Sequence, residues 1–466
     1  MEESQEAAHH RGSSAVYDSN SIARFLATLN SPRGMTDLRI MSRSSRFKHA
    51  TASIWLSVVW LPLLVHSRSH ALCSSAFVIG DLGGSVAPFF SILRAHQLID
   101  EHGRWTGKDA CVVQVGDLLD RGEDSKEIVS WVQELEEQAR RAGGKVSSVM
   151  GNHEDMWMMG MIKYASDQEI NSFAKMGPYL AMTHEQQILL KERMRQLSDG
   201  SSVSVATKIR THGEEKVANF LSHLWFNPKY FDFFTSRKLI ELLPMPDGRF
   251  NLVVHAELPV EWMKRIPTGQ LQSWVDDLNQ RYAEALRTRH QEPGFNKEVF
   301  LNSQSTWDLI FPRPSDYSGR GWATVDQQAA IREFVRLNIA HVLVGHDDMG
   351  NKVTISGAVV HAIGRPSRFD GRVVFTDVSL SMRAGELMEG GLESYFHFAR
   401  LDERGQVSDH HVRVKPEGAK TIDLFRKALR VRFDREDRRA AAAAYRKQVP
   451  WSTRLARCLS GKYAGM

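Results

Sequence analysis

Five short apolar runs each end in a polar residue able to bind a metal ion. FVIG precedes Asp81, VVQVG precedes Asp117, VSSVMG precedes Asn152, LVV precedes His255 and HVLVG precedes His346. Turn formation by Asp or Asn would account for any one of these endings, but it does poorly for all five together. Carboxylate, amide and imidazole donors without thiolate suit Mn²⁺, Fe²⁺ or Zn²⁺. Two such ions about 3.5 to 4 Å apart would polarise a phosphoryl group and supply a hydroxide nucleophile, so the chemistry expected of the set is phosphoester hydrolysis.

The elements that must position these groups follow from the runs themselves. They are short and lack strict alternation, as strands covered on both faces do. Helical stretches at Val86 to Asp100 and Ser125 to Ala142 separate the first three, which is α/β layering. In such sheets ligands sit beyond the carboxyl ends of the strands. Asp81, Asp117, Asn152, His255 and His346 are therefore expected to converge on one crevice.

Composition narrows the classes. A chain of 466 residues has room for about three domains, or for one α/β domain with long insertions. With 42% hydrophobic and 25% charged residues it is neither collagen-like, disulfide-dense nor broadly disordered. The net charge of +5 is concentrated at the end: from Lys415 to Met466 there are 14 Lys or Arg against 5 Asp or Glu. The rest of the chain is mildly acidic, and no nucleic-acid partner is expected of it. The three scattered cysteines, Cys73, Cys111 and Cys458, point away from disulfide stapling, and Cys111 reads as a small buried hydrophobe.

Two blocks carry a resemblance. GDLLDRG at Gly116 to Gly122 and GNHE at Gly151 to Glu154 resemble signature blocks of the calcineurin-like metallophosphoesterases, and PPP-type serine/threonine phosphatases carry both. GDLGG at Gly80 to Gly84 resembles that family's GDxHG, and His255 and His346 fall where its later histidines should. Within the PPP group, the separate leader and the closing GRVVFTDVSLSM at Gly371 to Met382 are most similar to the Shewanella-like phosphatases. The resemblance implies a β-sandwich of two mixed sheets flanked by helices, with two divalent ions. It makes Asp117 the bridging ligand, Asp81 a ligand of one ion, and Asn152, His255 and His346 ligands of the other. Arg121 would grip phosphate oxygens beside Asn152 and His153. His153 would protonate the leaving alkoxide, with Asp120 orienting its ring, and a metal-bound hydroxide would attack phosphorus. A phosphorylated protein or peptide is the implied substrate.

The chain departs from that pattern near the site. Gly83 stands where GDxHG has a metal-binding histidine, so one ion loses its nitrogen donor; His70, His96 and His102 are the candidate replacements. Ala256 and the bulkier Glu257 follow His255 where glycines are usual, Asp347 follows His346, and Trp307 precedes Asp308 and Leu309 where some relatives have an arginine. Arg320, in Gly319-Arg320-Gly321, is the candidate second phosphate-gripping arginine. The alternative to an active hydrolase is a pseudophosphatase that retains one ion and binds phosphoproteins or acts as a scaffold.

Three further segments are organised around a phosphoesterase domain at 76–414. The insert at 156–245 is rich in helical patterns such as Glu185 to Leu197 and ends in Trp225, Phe226, Tyr230, Phe231, Phe233 and Phe234, read as packing; Ser198 to Ser204 is its polar loop. The leader, 1–71, contains the apolar run Ile54 to Val65, preceded by Arg43, Arg46 and Lys48 and followed by Ser69 and Ala71 in a small-x-small pattern. At about 12 residues the run is short of a membrane span and resembles a signal peptide, with translation starting at Met35 or Met41 or with residues 1–40 as a dispensable leader, and the mature chain beginning near Leu72. Secretory or membrane-associated localisation is expected, with a signal anchor or an organellar or cytoplasmic location as alternatives. In the basic tail, 415–466, Thr421 to Lys447 reads as a helix with Leu424, Ala428 and Val431 on its packing face, or as a contact for an anionic membrane surface or acidic partner.

Overall fold

Each apolar run is a strand, flanked by strands on both sides except for the third, which lies at a sheet edge. The computed structural model describes residues 73–174, 182–199, 203–256, 258, 260–291, 327–346, 351–355, 358–362, 367–368, 372–376, 394–414 and 416–448, all within one compact unit, Arg68–Met466. The leader, including the apolar run 54–65, lies outside the described residues. Strands β1 (Ala76–Ile79), β2 (Cys111–Gln114) and β3 (Lys145–Ser148) are parallel, and β11 (Ser394–Leu401) and β12 (Val407–Val414) complete the sheet in antiparallel order β12-β11-β1-β2-β3. The second sheet runs β4-β5-β6-β10-β9, from β4 (Ile240–Pro244), β5 (Phe250–Val254), β6 (Ile339–Val344), β9 (Ser367–Arg368) and β10 (Val373–Phe375). Here β5, β6 and β10 are parallel while β4 and β9 are antiparallel edges. A two-stranded ribbon joins β7 (Asn351–Ile355) to β8 (Ala358–Ala362).

The alternation of strand side chains divides the core. Ala76, Val78, Cys111, Val113 and Val115 meet Leu243, Val253 and Leu343 between the two sheets. Phe77, Ile79 and Val112, one residue out of phase, face the helices with Leu242, Leu252, Val254 and Val342. This is a sandwich of two mixed sheets flanked by helices, as expected. The covering helices include α1 (Val86–Ala95) and α2 (Ser125–Ala142), the latter closed by Gly143 at φ 85°. Helix α1 stops earlier than the expected Asp100 because Gln97 turns at φ 56°, which lets Ile99 bridge to Trp105.

The insert also differs from its expected bounds. Met156–Met158 close α3 (Asn152–Met158), and Ile240–Pro244 is an edge strand, so the helical part is α4 (Asp167–Ala174), α5 (His184–Asp199), α6 (Val203–His212), α7 (Glu214–Phe226) and α8 (Pro228–Thr235). Trp225, Tyr230, Phe233 and Phe234 are buried, and Phe173 packs edge-on against Trp157, Phe220 and Tyr230. Helices α9 (Val260–Met263), α10 (Leu271–Gln291) and α11 (Gln327–Arg336) precede β6.

Two expectations are corrected. Cys73 and Cys111 form a disulfide, with Cα atoms 5.6 Å apart. Register places Ala76 beside Cys111, which brings the residues just before β1 to the start of β2; strand adjacency, not cysteine spacing, makes the pair. Closing a loop of 38 residues in the unfolded chain contributes about 4 kcal/mol in the chain-entropy account. The tail helix, α12 (Pro416–Gln448), buries Ile422, Phe425, Leu429 and Phe433 and leaves Leu424 and Val431 67% and 58% exposed. Both stripes have helical spacing; Phe425 selects between them by stacking on Phe90 at 4.2 Å and meeting Trp131 edge-on at 4.9 Å. Among the described residues no helix is long and apolar enough to cross a membrane.

Candidate active site

The carboxyl ends of β1, β2, β3, β5 and β6 carry Asp81, Asp117, Asn152, His255 and His346 respectively. Backbone strain gathers around them: of seven non-glycine residues with positive φ among the described residues, Asp117 and His346 belong to this set and Asp120 and Arg121 to the loop after Asp117. Such conformations cost free energy that the surrounding fold must offset, and they gather where side chains are held for chemistry.

His255 defines one half of the crevice. Its Nδ1–H donates to the Val115 carbonyl at 2.9 Å, which fixes the tautomer and leaves the Nε2 lone pair facing inward. That nitrogen stands 3.0 Å from the Asn152 side-chain amide, 3.2 Å from His346 Nδ1 and 3.4 Å from Asp117 Oδ1. Burial keeps His255 below its ordinary pKa, and burial together with neighbouring His255 pushes His346 down to about 3. Burial alone would raise Asp117, but His153, His255 and His346 outweigh it and keep its pKa low. Two imidazoles held low in pKa thus bring ring nitrogens together beside a carboxylate, and ligand atoms of Asp117, His255 and His346 lie within 4.8 Å of one another. This donor set fits a divalent cation.

Asp81 stands at the margin of this cluster. Both its oxygens accept the His346 main-chain N–H at 3.2 Å, and a Cβ on Gly345 would approach Asp81 Oδ1 to 2.2 Å, so only glycine allows the contact. Gly83 contributes its main chain alone, donating N–H to the Asp117 carbonyl at 2.8 Å. Neither described candidate replaces the missing imidazole: His96 packs between Phe77 and Phe398, and His102 faces exposed Glu101. His70 lies outside the described residues, as do Glu257, Trp307, Asp308, Leu309, Arg320 and Asp347.

The other half of the crevice centres on His153, at the start of α3. Its Nδ1 is 2.5 Å from Asp120 Oδ2, and Trp157 Nε1 donates to the other Asp120 oxygen at 2.6 Å. Nε2 therefore faces the crevice, 3.6 Å from Asp117 Oδ2 and 3.2 Å from the exposed guanidinium of Arg121. Burial opposes charge on the ring, but the carboxylates of Asp117 and Asp120 outweigh it and hold its pKa up at about 9. A proton donor and a cationic fork thus stand beside the candidate cation site.

Three residues of this architecture escaped sequence reasoning. Glu154 accepts four buried main-chain N–H groups, those of Asp117, Leu118, Leu119 and Gly151, at 2.7 to 3.2 Å. The last letter of GNHE was the available signal. Glu169, from α4, accepts the Asp120 N–H at 2.9 Å and is bonded by the Ser125 hydroxyl. Tyr164 accepts the Arg121 N–H through its carbonyl at 3.2 Å and sets its ring 5.2 Å from that of His153. Neither of these two lies in a motif.

Two sheets whose carboxyl ends bring carboxylate, amide and imidazole donors together beside an acid–base pair define a metal-dependent phosphoesterase class. Residues 75–348 match the model of the calcineurin-like phosphoesterase family, well over half of the chain, and the chain belongs to that family. Calcineurin-like phosphoesterases are dinuclear metal enzymes. The chain is similar to Shewanella-like protein phosphatase 2 of Arabidopsis thaliana, 40% identical over 95 residues, which is 20% of this chain and 24% of that protein. Shewanella-like protein phosphatase 1 of Plasmodium berghei is 35% identical over 95 residues, 20% of this chain and 26% of that protein. These matches span about a quarter of each relative. Among solved structures, the cold-active protein-tyrosine phosphatase of a psychrophile Shewanella species aligns with TM-score 0.44 at 18% identity, covering 73% of this chain and 80% of that one.

Proposed function

We propose that the protein is a metal-dependent phosphomonoester hydrolase of the serine/threonine protein-phosphatase type, acting on phosphorylated proteins or peptides. The observation that carries this reading is the Asp120–His153 pair beside Arg121, set against the Asp117, Asn152, His255 and His346 cluster. Divalent ions, Mn²⁺, Fe²⁺ or Zn²⁺, held by that cluster would polarise the phosphoryl group and acidify a water. Arg121 binds and orients the phosphate through its forked donors. His153 gives its Nε2 proton to the leaving alkoxide, and Asp120 keeps the ring in the donating orientation. Arg320 is proposed as a second phosphate contact.

Gly83 favours the second reading, a pseudophosphatase with one ion. The two readings separate on Gly83→His. Gly83 has φ 46°, a region where histidine is more readily accepted than most residues. The substitution is expected to tighten a second Mn²⁺ by about tenfold or more, given what weaker ligand-shell changes cost. Calorimetric titration with Mn²⁺, paired with turnover of a phosphopeptide, checks it. Wild-type turnover with two ions supports the hydrolase; one ion, and turnover only in Gly83→His, supports the pseudophosphatase.

For location we propose the secretory pathway or a membrane-associated compartment. The Cys73–Cys111 disulfide supports this, because such bonds persist in oxidising environments. N-terminal sequencing of the mature chain tests it: a start near Leu72 is expected, and retention of residues 1–30 in the mature protein would overturn it.

A further inference from the structure

We infer that the C-terminal helix is part of the catalytic apparatus, with Arg426 and Arg430 as positioning residues for the loop that carries Asp120 and Arg121; the inference rests on the phosphatase reading above. The two arginines meet a single buried carboxylate. Arg426 Nε lies 3.0 Å and 2.9 Å from the two oxygens of Asp124, and Arg430 Nη2 lies 3.1 Å from one of them. Arg426 also reaches Glu123 at 3.2 Å, and Arg430 lies 3.6 Å from Glu127.

Asp124 is a junction. It precedes α2, and its Oδ2 accepts the Val86 N–H at the start of α1, where Ser85 supplies no side-chain cap. Main-chain N–H groups of Glu123 and Asp124 both donate to the Gly84 carbonyl, at 3.0 and 2.8 Å. Gly84 in turn donates to Leu118 O, and Gly83 to Asp117 O. The two loops touch so closely that a Cβ on Gly122 would lie 2.2 Å from Gly84 O. A shift of Asp124 is therefore passed to both loops, because tight packing leaves no slack to absorb it. The tail is the side from which this junction is braced.

The tail is held independently of those two arginines. Phe425, Leu429 and Phe433 are buried, Arg432 pairs with Glu134, and the fully buried Lys126 pairs with Asp434. Removing the Arg426 and Arg430 charges should thus loosen the loop while leaving the helix docked.

The test is made on the full chain loaded with Mn²⁺, comparing Arg426→Gln/Arg430→Gln with Arg432→Gln. Hydrogen exchange of the Gly122 to Ser125 amides is expected to rise about tenfold in the double variant and to stay unchanged in Arg432→Gln. On a phosphopeptide, kcat is expected to fall about tenfold with KM held, since small misplacements of catalytic groups are costly. Arg426→Lys/Arg430→Lys should restore part of both effects. If the double variant exchanges and turns over like Arg432→Gln, the inference is overturned. If it fails to fold, Arg430→Gln alone is read by the same two measurements. Absence of turnover in the wild type would sink the phosphatase reading, while the exchange data would still decide whether the tail positions the loop.

Discussion

Replacing His153 with Gln is expected to lower kcat by about 10²- to 10⁴-fold, the range a positioned general acid contributes, with metal content unchanged. The ring supplies none of the cation-facing atoms of Asp117, His255 and His346. Its main-chain N–H, which donates to Asp117 Oδ1 at 2.9 Å, survives the substitution. Gln can still offer an amide N–H toward Asp120, whose other oxygen keeps Trp157, so the fold is retained. The pH dependence has a definite sign. His153 is protonated below about 9, so its acid form is lost as pH rises through that value. Wild-type kcat should therefore carry a high-pH limb that is absent in His153→Gln. Ions at Asp117 would offset that carboxylate and move the limb lower. Steady-state rates over a pH series check this, and an unchanged limb in the variant would remove His153 from the acid role.

Glu154→Ala is expected to destabilise the fold by at least about 4 kcal/mol, because each buried N–H left without an acceptor costs about 1 to 3 kcal/mol. Four lose theirs at once, and three of them belong to Asp117, Leu118 and Leu119. Releasing that turn also frees the Asp117 backbone from its φ of 54°, so metal content should fall with stability. Glu154→Gln, which retains one accepting oxygen, should lie between. Urea unfolding with parallel metal analysis reads both quantities. A variant within about 1 kcal/mol of wild type and fully loaded with metal would mean that the turn holds itself.

Much of the site was legible because strand ends are legible. A β-branched run followed, usually through a glycine, by a polar residue fixes both the element and the end from which that side chain projects, and this placed Asp81, Asp117, Asn152, His255 and His346 at strand ends. What stayed hidden depends on which elements become neighbours. The Cys73–Cys111 bond needs β1 beside β2, and Glu169 reaches Asp120 only because α4 packs under that loop. The tail helix offers two stripes of equal spacing, and only the aromatic pocket of Phe90 and Trp131 decides which is buried. The fate of the Gly83 position was also beyond the sequence, since His96 turned out to be committed to Phe77 and Phe398.

The central claim is that the Asp117 cluster holds divalent ions for phosphoester hydrolysis. Its most direct test is metal content by mass spectrometry together with aryl phosphate turnover in Mn²⁺, for wild type and Asp117→Asn. The account predicts bound metal with turnover in the wild type, and loss of both in Asp117→Asn. A wild type without bound metal, or a variant that turns over as fast as wild type, would contradict it.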